Sequence, residues 1–474
     1  MPKDAEKVLK QVLKRVTPQE IERKKIENLS KKLEKKVAQA AEELGLKIKA
    51  RVEGSVAKNT WLSQEPDIDV FMRVSKTIPR DTLGDVCLKI AKKATEGSKQ
   101  VERFADHPYL EAFVENVRVN IVPCYNVKQG TWIGATDRTP FHTDYINKQM
   151  TPQTRDEVRL LKKFMKGVSV YGAEIKIGGF SGYLCELLIL HYKSFLNTIK
   201  TFADYKQGTA IDIQGFYDDR QREIKLLFDE PLVVVDPIDK ARNVASAVRE
   251  QKLYSFIAAA QGFLKKPSLE FFYPSKTTAF SGAKMRDTLK KRGSKIVFVV
   301  FGRSEAVADI LWGQLYKSQR SLRKLVELND FQILRDLPWS NDKDLNMFIF
   351  ELEDCCVPLI KKHLGPPLDK EKECEKFVSK YVGSPEAVSG PYVAEGRWMI
   401  LARRKFTDAC DLLKDRLKDG GRNAGVAEGI SQVLKEGFKV LVNDQILEIY
   451  ERSDEFAAFL TEFLQGKPKW LEAR

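Results

Sequence analysis

Two short alternating runs constrain this chain more than any other feature. KIKARVEGS ends at Gly54-Ser55 and PDIDVFMRV begins at Pro66, so a small-residue turn stands beside a strand with Asp67 and Asp69 on one face. Acid-x-acid pairs are cheap in a chain with 66 acidic residues, and the spacing alone says little. The upstream residues Ser55, Lys58, Asn59 and Thr60 say more. Backbone N–H groups at such a turn and the Ser55 hydroxyl bind phosphate oxygens, Lys58 adds positive charge, and two carboxylates can hold Mg2+ against the same phosphates. The chain carries no G-x-x-x-x-G-K-[ST] loop, which excludes an ordinary P-loop ATPase or GTPase.

At 474 residues the chain has room for about three domains. With 43% hydrophobic residues and 28 Gly and 19 Pro, it is neither disordered nor linker-dominated. Helical periodicity runs from Asp4 to about Leu46, broken at Thr17-Pro18. A helix over Thr82–Thr95 follows, then two strands in LEAFVENVRVNIVPCYNV with Glu115-Asn116 as their turn. After Pro140 the pattern turns helical: TPQTRDEVRLLKKFMKGV, then SGYLCELLILHYKSFLNTIKTF as one helix, and a further helix from about Ala241 to Phe263 behind the strand LVVVDP. Lys265-Lys266-Pro267 marks a boundary. Beyond it KIVFVVFGR, MFIFELE and RWMILARRKF read as strands, PLIKKHLG as the end of a helix, and Thr407–Leu417 and Gly425–Phe438 as helices. No internal repeat is visible.

Eighty Lys and Arg against 66 acids leave +14, a surplus that attracts polyanions. A solvated Lys/Glu-rich surface gives the same composition. Seven Cys without a Cys-x-x-Cys spacing, and only four His, argue against a Cys/His zinc site, and the cysteines read as reduced and mostly buried. The start MPKDAEKVLKQVLKRV has no apolar signal core and no apolar run is long enough to span a membrane, so the expectation is a soluble, cytoplasmic protein.

The segment GSVAKNTWLSQEPDIDVF resembles the signature of polymerase-β-like nucleotidyltransferases. VNIVPCY, DRTPFH, VRLLKKF, YGAEIKIGGFSGYLCELLI, VVDPIDKARNVA and EGRWMILARRKF resemble, in the same order, the archaeal-type (class I) CCA-adding tRNA nucleotidyltransferases. The resemblance spans about Val52 to Phe406 and implies an α+β multidomain fold. Its parts are a nucleotidyltransferase head of a sheet with flanking helices (1–142), a helical neck (143–265), and α+β body and tail domains (266–474) that grip the acceptor and TΨC arm of tRNA. The implied activity is template-independent addition of C, C and A to the tRNA 3′ end from CTP and ATP, with Mg2+ as cofactor, tRNA as partner and no membrane; a homodimer is compatible with it.

Residue by residue, the resemblance gives the metal-binding role to Asp67 and Asp69. It places Ser55 and Lys58 on the triphosphate, with Lys162 and Tyr171 contacting it from the helical side. Thr139 and His142 line the nucleotide pocket, and Arg242 helps to read the base, where paired guanidinium donors suit a base edge. Read alone, Lys162 is an exposed helix lysine, His142 a structural histidine and Arg242 a surface helix residue. At the family's third catalytic and metal-binding aspartate the chain has Asn120. An amide is neutral and cannot take the proton of the attacking 3′-hydroxyl, so intact binding with crippled catalysis is expected. An engineered substitution and a natural divergence both fit. Basic stretches Arg397–Lys405 and Arg320–Lys324 are candidate tRNA contacts, each equally readable as a solvated face.

Two other readings compete. Another polymerase-β-like enzyme, of the poly(A) polymerase type, would keep extending where a CCA-adding enzyme stops after A. A catalytically silent RNA-binding protein would keep the fold without the chemistry, and Asn120 is the feature that supports it.

Overall fold

The computed structural model describes residues 3–104, 107–218 and 221–473, which form two compact units, 1–276 with 467–474, and 277–466. Among the described residues no helix is long and apolar enough to cross a membrane.

The first unit opens with α1 (Lys3–Val16) and α2 (Glu20–Glu42), separated at Thr17-Pro18 as the periodicity predicts. α2 buries Ile26, Leu29, Leu33 and Val37, its 3.6-residue stripe, in the core of a sheet. That sheet is built from β1 (Lys49–Glu53), β2 (Asp67–Val74), β3 (Lys99–Phe104), β4 (Pro108–Val114) and β5 (Val117–Tyr125), in the order β1-β2-β5-β4-β3, with α3 (Gly54–Ala57) after β1 and α4 (Arg80–Ala94) after β2. β2 and β5 run parallel, and their register pairs Asp67 with Arg118 and Asp69 with Asn120. Glu115 and Asn116 both have positive φ, the conformation a tight β4–β5 hairpin needs.

Helices α5 (Thr139–Gln149), α6 (Pro152–Gly167), α7 (Gly182–Tyr192) and α8 (Phe195–Ala203) follow. The segment read as one helix from Ser181 is two. Lys193 takes the left-handed conformation and Ser194 caps the next helix, accepting from the Asn197 N–H at 3.2 Å. Next come β6 (Ala210–Asp212), α9 (Gln221–Leu227), β7 (Val233–Asp236), β8 (Asp239–Asn243) and α10 (Glu250–Lys265). The helix expected from Ala241 therefore starts nine residues later. The Asn243 amide competes with helix by accepting from the Val234 and Ala245 N–H groups and donating to the Leu232 carbonyl, all near 3 Å, which stitches β8 to β7. Phe164, Phe195, Phe256, Phe263, Phe271 and Phe272 fill the core beneath these helices.

The second unit contains α11 (Gly282–Lys291), β9 (Lys295–Phe301), α12 (Ala308–Leu328), β10 (Ile333–Ser340), β11 (Asn346–Leu352), β12 (Ile360–Pro367), α13 (Glu371–Tyr381), β13 (Ala387–Ala394), β14 (Arg397–Arg403), α14 (Ala409–Leu417), α15 (Glu428–Glu436), β15 (Phe438–Val442), α16 (Leu447–Arg452) and α17 (Asp454–Gln465). Its sheets run β10-β11-β9-β15 and β12-β14-β13. PLIKKHLG (358–365), expected to close a helix, falls instead largely in strand β12, paired antiparallel with β14. Its two lysines and histidine imitate a helix C-terminus in a local reading, while the pairing partner lies more than thirty residues away.

Glu351 on β11 anchors a charge cluster. Burial pushes its carboxyl up, but hydrogen bonds from Arg292, Ser294 and Arg335 outweigh burial and hold it down at about 2. A group lowered on folding stabilises above its unfolded value and loses that contribution as pH falls towards its folded value. The second unit is expected to lose about 2 kcal/mol between pH 4.5 and 2 through this group. Acid titration of the thermal midpoint, compared with Glu351→Gln, checks it; equal acid sensitivity in the variant would assign the loss elsewhere.

Candidate active site

The parallel β2–β5 register brings Asp67, Asp69 and Asn120 to one face. Asn120 Nδ2 donates to Asp67 Oδ1 at 3.1 Å and to Asp69 Oδ1 at 2.9 Å, and Arg118 Nε donates to Asp67 Oδ1 at 3.1 Å. Burial, then the neighbouring Asp67 charge, push the Asp69 carboxyl up to about 7, against the opposing pull of Asn120, Arg118 and Lys58. Gly54 at the start of α3 has φ +70°, and a Cβ there would lie 2.2 Å from Asp69 Oδ2. Only glycine lets the turn carrying Ser55 close on the carboxylate. Donors that hold two carboxylates together, and a carboxyl pushed up by burial and a like charge, fit a hard divalent cation on oxygen ligands. Asp67, Asp69 and the Asn120 carbonyl are the groups that could hold it.

Lys58, Lys162 and Tyr171 gather beside this face. Lys58 Nζ donates to Glu186 Oε2 at 2.5 Å, and Lys162 Nζ reaches Glu186 Oε1 at 3.5 Å and Thr60 Oγ1 at 3.0 Å. Glu186 also accepts from Thr60 Oγ1 at 2.6 Å. Burial pushes the Glu186 carboxyl up, yet the two lysines and Thr60 hold it below the usual range; burial pulls the Lys162 ammonium down. Two cations on one carboxylate leave a net positive charge at the end of α7. A Cβ on Gly182, the first residue of that helix, would lie 3.0 Å from Tyr171 Oη and 3.4 Å from Lys162 Nζ. The cluster therefore sits at a helix N-terminus, which adds to its attraction for phosphate.

Beyond Lys58 the cluster continues through Tyr183, whose ring lies 5.4 Å from the ammonium and stacks on His142 with centroids 4.0 Å apart. Asp236, at the end of β7, gathers the rest. His142 Nε2 lies 2.9 Å from its Oδ2, Arg242 Nη1 donates to Oδ2 at 2.7 Å, and Tyr183 Oη donates to Oδ1 at 3.2 Å. Burial lowers the His142 pKa, whereas His142 and Arg242 hold Asp236 below its usual value despite burial. A neutral imidazole facing an ionised carboxylate keeps its proton on Nε2, which leaves Nδ1 as an acceptor. Thr139 opens α5 one turn before His142.

The residues singled out in the sequence thus fall in two groups, Asp67, Asp69 and Asn120 on the strand face and the Lys58-to-Arg242 contact chain, whose Lys58 charge reaches Asp69, with Ser55 and Thr139 placed by the elements that carry them. Lys162 is buried and Arg242 lies on a strand, unlike their local readings as an exposed helix lysine and a surface helix residue. Sequence reasoning missed Glu186 and Asp236, and gave Thr60 no role of its own. A lone acid inside the apolar run YLCELLIL, and another closing VVVD, were the signals present.

Comparison with known proteins places this geometry. Residues 30–142 match the family model "Nucleotidyltransferase domain", 156–273 match "tRNA nucleotidyltransferase, second domain", and 292–443 match "CCA-adding enzyme, C-terminal domain". The CCA-adding enzyme of Methanosarcina barkeri is 37% identical over 443 residues, covering 93% of this chain and 94% of its own. The chain belongs to the CCA-adding enzyme family. The Methanopyrus kandleri member is 33% identical over 485 residues, with 98% of each chain covered. Among solved structures, Cid1 poly(U) polymerase aligns over 56% of this chain and 96% of its own, with 15% identity and a TM-score of 0.45. The α+β multidomain architecture expected from the resemblance is the one observed, and its first sheet lies within the residues that match the nucleotidyltransferase model.

Proposed function

We propose that this chain adds C, C and A to the 3′ end of tRNA in the cytoplasm, without a template, from CTP and ATP. The tRNA 3′-hydroxyl attacks the α-phosphorus and pyrophosphate leaves. The observation that carries the reading is the Asp67–Asp69 face, which feels the Lys58 charge, with the contact chain of Lys58, Glu186, Lys162, Tyr183, His142, Asp236 and Arg242 beside it. It presents carboxylates, a phosphate-binding cation pair and a base-sized polar cluster in the order a nucleoside triphosphate needs.

Each group has a role that its surroundings permit. Lys58 and Lys162 neutralise the triphosphate, with Ser55 and Tyr171 as further donors. Asp236 orients His142, Tyr183 and Arg242, so that the guanidinium and Nδ1 of His142 offer a donor and an acceptor to the base, with Thr139 nearby. Mg2+ held by Asp67 and Asp69 would supply charge neutralisation at the reacting phosphate. Asn120 offers no third carboxylate to receive the hydroxyl proton. We assign 1–142 as head, 143–265 as neck, and 266–474 as body and tail gripping the acceptor and TΨC arm. The +14 charge supports that grip, and exposed Arg403 and Lys405 are candidate contacts. Arg404 is occupied within its own unit by Asp330 and the carbonyls of Pro358 and Ile360, which removes it from that set.

The test is extension, at single-nucleotide resolution, of tRNA transcripts ending before C, CC and A. Addition that halts after A, by the chain or by Asn120→Asp, supports the reading; continued A addition points to a poly(A) polymerase type, and tRNA binding without extension by either form to a silent RNA-binding protein. In the same assay Asp236→Asn is expected to raise the KM for CTP and ATP about tenfold, because His142 and Arg242 lose a charged acceptor. Unchanged KM values with altered kcat would place the Asp236 cluster away from the base.

A further inference from the structure

Three side chains of the second unit converge at the link between β11 and β12, and a fourth, Asp408, lies against one of them. Asp354, Cys355 and Cys356 follow one another, and a carboxylate oxygen and both sulfurs lie within 4.8 Å of one another. Successive side chains of a regular strand point to opposite faces, so this convergence depends on the bend at Cys355. Cys356 also forms a bridge pair with Asp408, the residue capping α14. The two oxygens of Asp408 have different partners. Oδ1 accepts from the N–H groups of Cys410 and Asp411 at 2.7 and 3.2 Å, while Oδ2 is turned to the Cys356 sulfur at 3.5 Å. The two sulfurs stand 3.9 Å apart.

The sulfur–sulfur and Cys356–Asp408 separations match two edges of a coordination tetrahedron. Bonds of about 2.3 Å to sulfur and about 2.0 Å to oxygen put two sulfurs about 3.8 Å apart and a sulfur and an oxygen about 3.5 Å apart. We propose that Asp354, Cys355, Cys356 and Asp408 form a binding site for Zn2+. Two sulfur ligands select against Mg2+ and Ca2+, and two carboxylates select against Cu(I), which leaves a borderline-soft divalent ion with four protein ligands. Among the described residues neither carboxylate is ion-paired with Lys or Arg. Of the seven free cysteines these are the two that are not buried, so an ion can reach them. On binding, two sulfur–metal bonds form, each thiol proton passes to solvent, and nothing is oxidised or reduced. The ion ties the β11–β12 link to the start of α14, a structural staple and not a catalytic centre.

The untagged, metal-free, reduced full-length chain is titrated anaerobically with Co2+, read as thiolate-to-metal charge-transfer absorption, and then with Zn2+ against a chromophoric chelator. One Co2+ per chain is expected, displaced by one Zn2+. The double variant Cys355→Ser, Cys356→Ser is expected to lose both the absorption and the stoichiometric ion. Asp408→Asn, which keeps a helix-capping oxygen, is expected to weaken Zn2+ about tenfold or more. Absence of the absorption in the unaltered chain overturns the proposal. So does absorption that survives in the double serine variant, since other thiols then hold the metal.

Discussion

Replacing Asn120 with aspartate is expected to raise the rate of single-nucleotide addition about a hundredfold or more. The register of β2 against β5 sets the position, opposite Asp69 and next to the Asp67–Arg118 pair. There the amide donates to both carboxylates and takes the place of a countercharge. A carboxylate at the same point adds the missing negative charge and a group able to receive the 3′-hydroxyl proton, and two orders of magnitude correspond to about 2.7 kcal/mol of transition-state stabilisation. The gain has a cost without a divalent cation. Asp69 is already pushed up to about 7, and a third carboxyl beside it deepens the repulsion. The aspartate variant is therefore expected to have a lower thermal midpoint than the parent in chelator and to recover it in Mg2+, whereas the parent responds weakly to Mg2+. Extension by the variant that halts after A, from a parent that binds the same tRNA but barely extends it, establishes both the activity and the role of position 120. If neither form extends any tRNA, the fold serves binding and the enzymatic reading is wrong.

What could be read from the sequence, and what could not, divides along contact distance. The Asp67–Asp69 strand, the Glu115-Asn116 turn and the stripe of α2 follow from local periodicity, and each stands where the sequence puts it. A helix from about Ala241 carries Arg242 in a local reading, whereas the Asn243 amide, bonded to Leu232 and Val234, commits the segment to a strand. Ile360–Pro367 is similar: its strand exists because β14 lies beside it, and no window of eight residues contains that partner. Glu186 could be seen as an acid in an apolar helix, but its lysine partners sit on α6 and on the turn behind α3, and only the fold joins them. Read from its own helix alone, Lys162 is a surface lysine, and only the fold buries it against Glu186.

That burial supplies the second large effect. Glu186 is fully buried and is the shared acceptor for Lys58, Thr60 and Lys162. Glu186→Gln keeps the shape of the side chain and removes its charge, so two buried ammonium groups face each other without compensation. Removing one partner of a buried pair costs about 3–5 kcal/mol, which for a unit of this size lowers the thermal midpoint on the order of 10 °C. Burial already lowers the Lys162 pKa, with the Glu186 charge opposing it, so the variant favours the neutral amine and loses phosphate-binding charge as pH rises. If the lysines hold the triphosphate, the nucleotide supplies the negative charge that the variant lacks. Saturating CTP is then expected to raise the midpoint of Glu186→Gln by several degrees more than it raises that of the parent. Equal CTP shifts in the two proteins would show that Lys58 and Lys162 serve the fold alone, and that the triphosphate lies elsewhere. A midpoint within about 2 °C of the parent would show that the pair contributes no more than an exposed ion pair does.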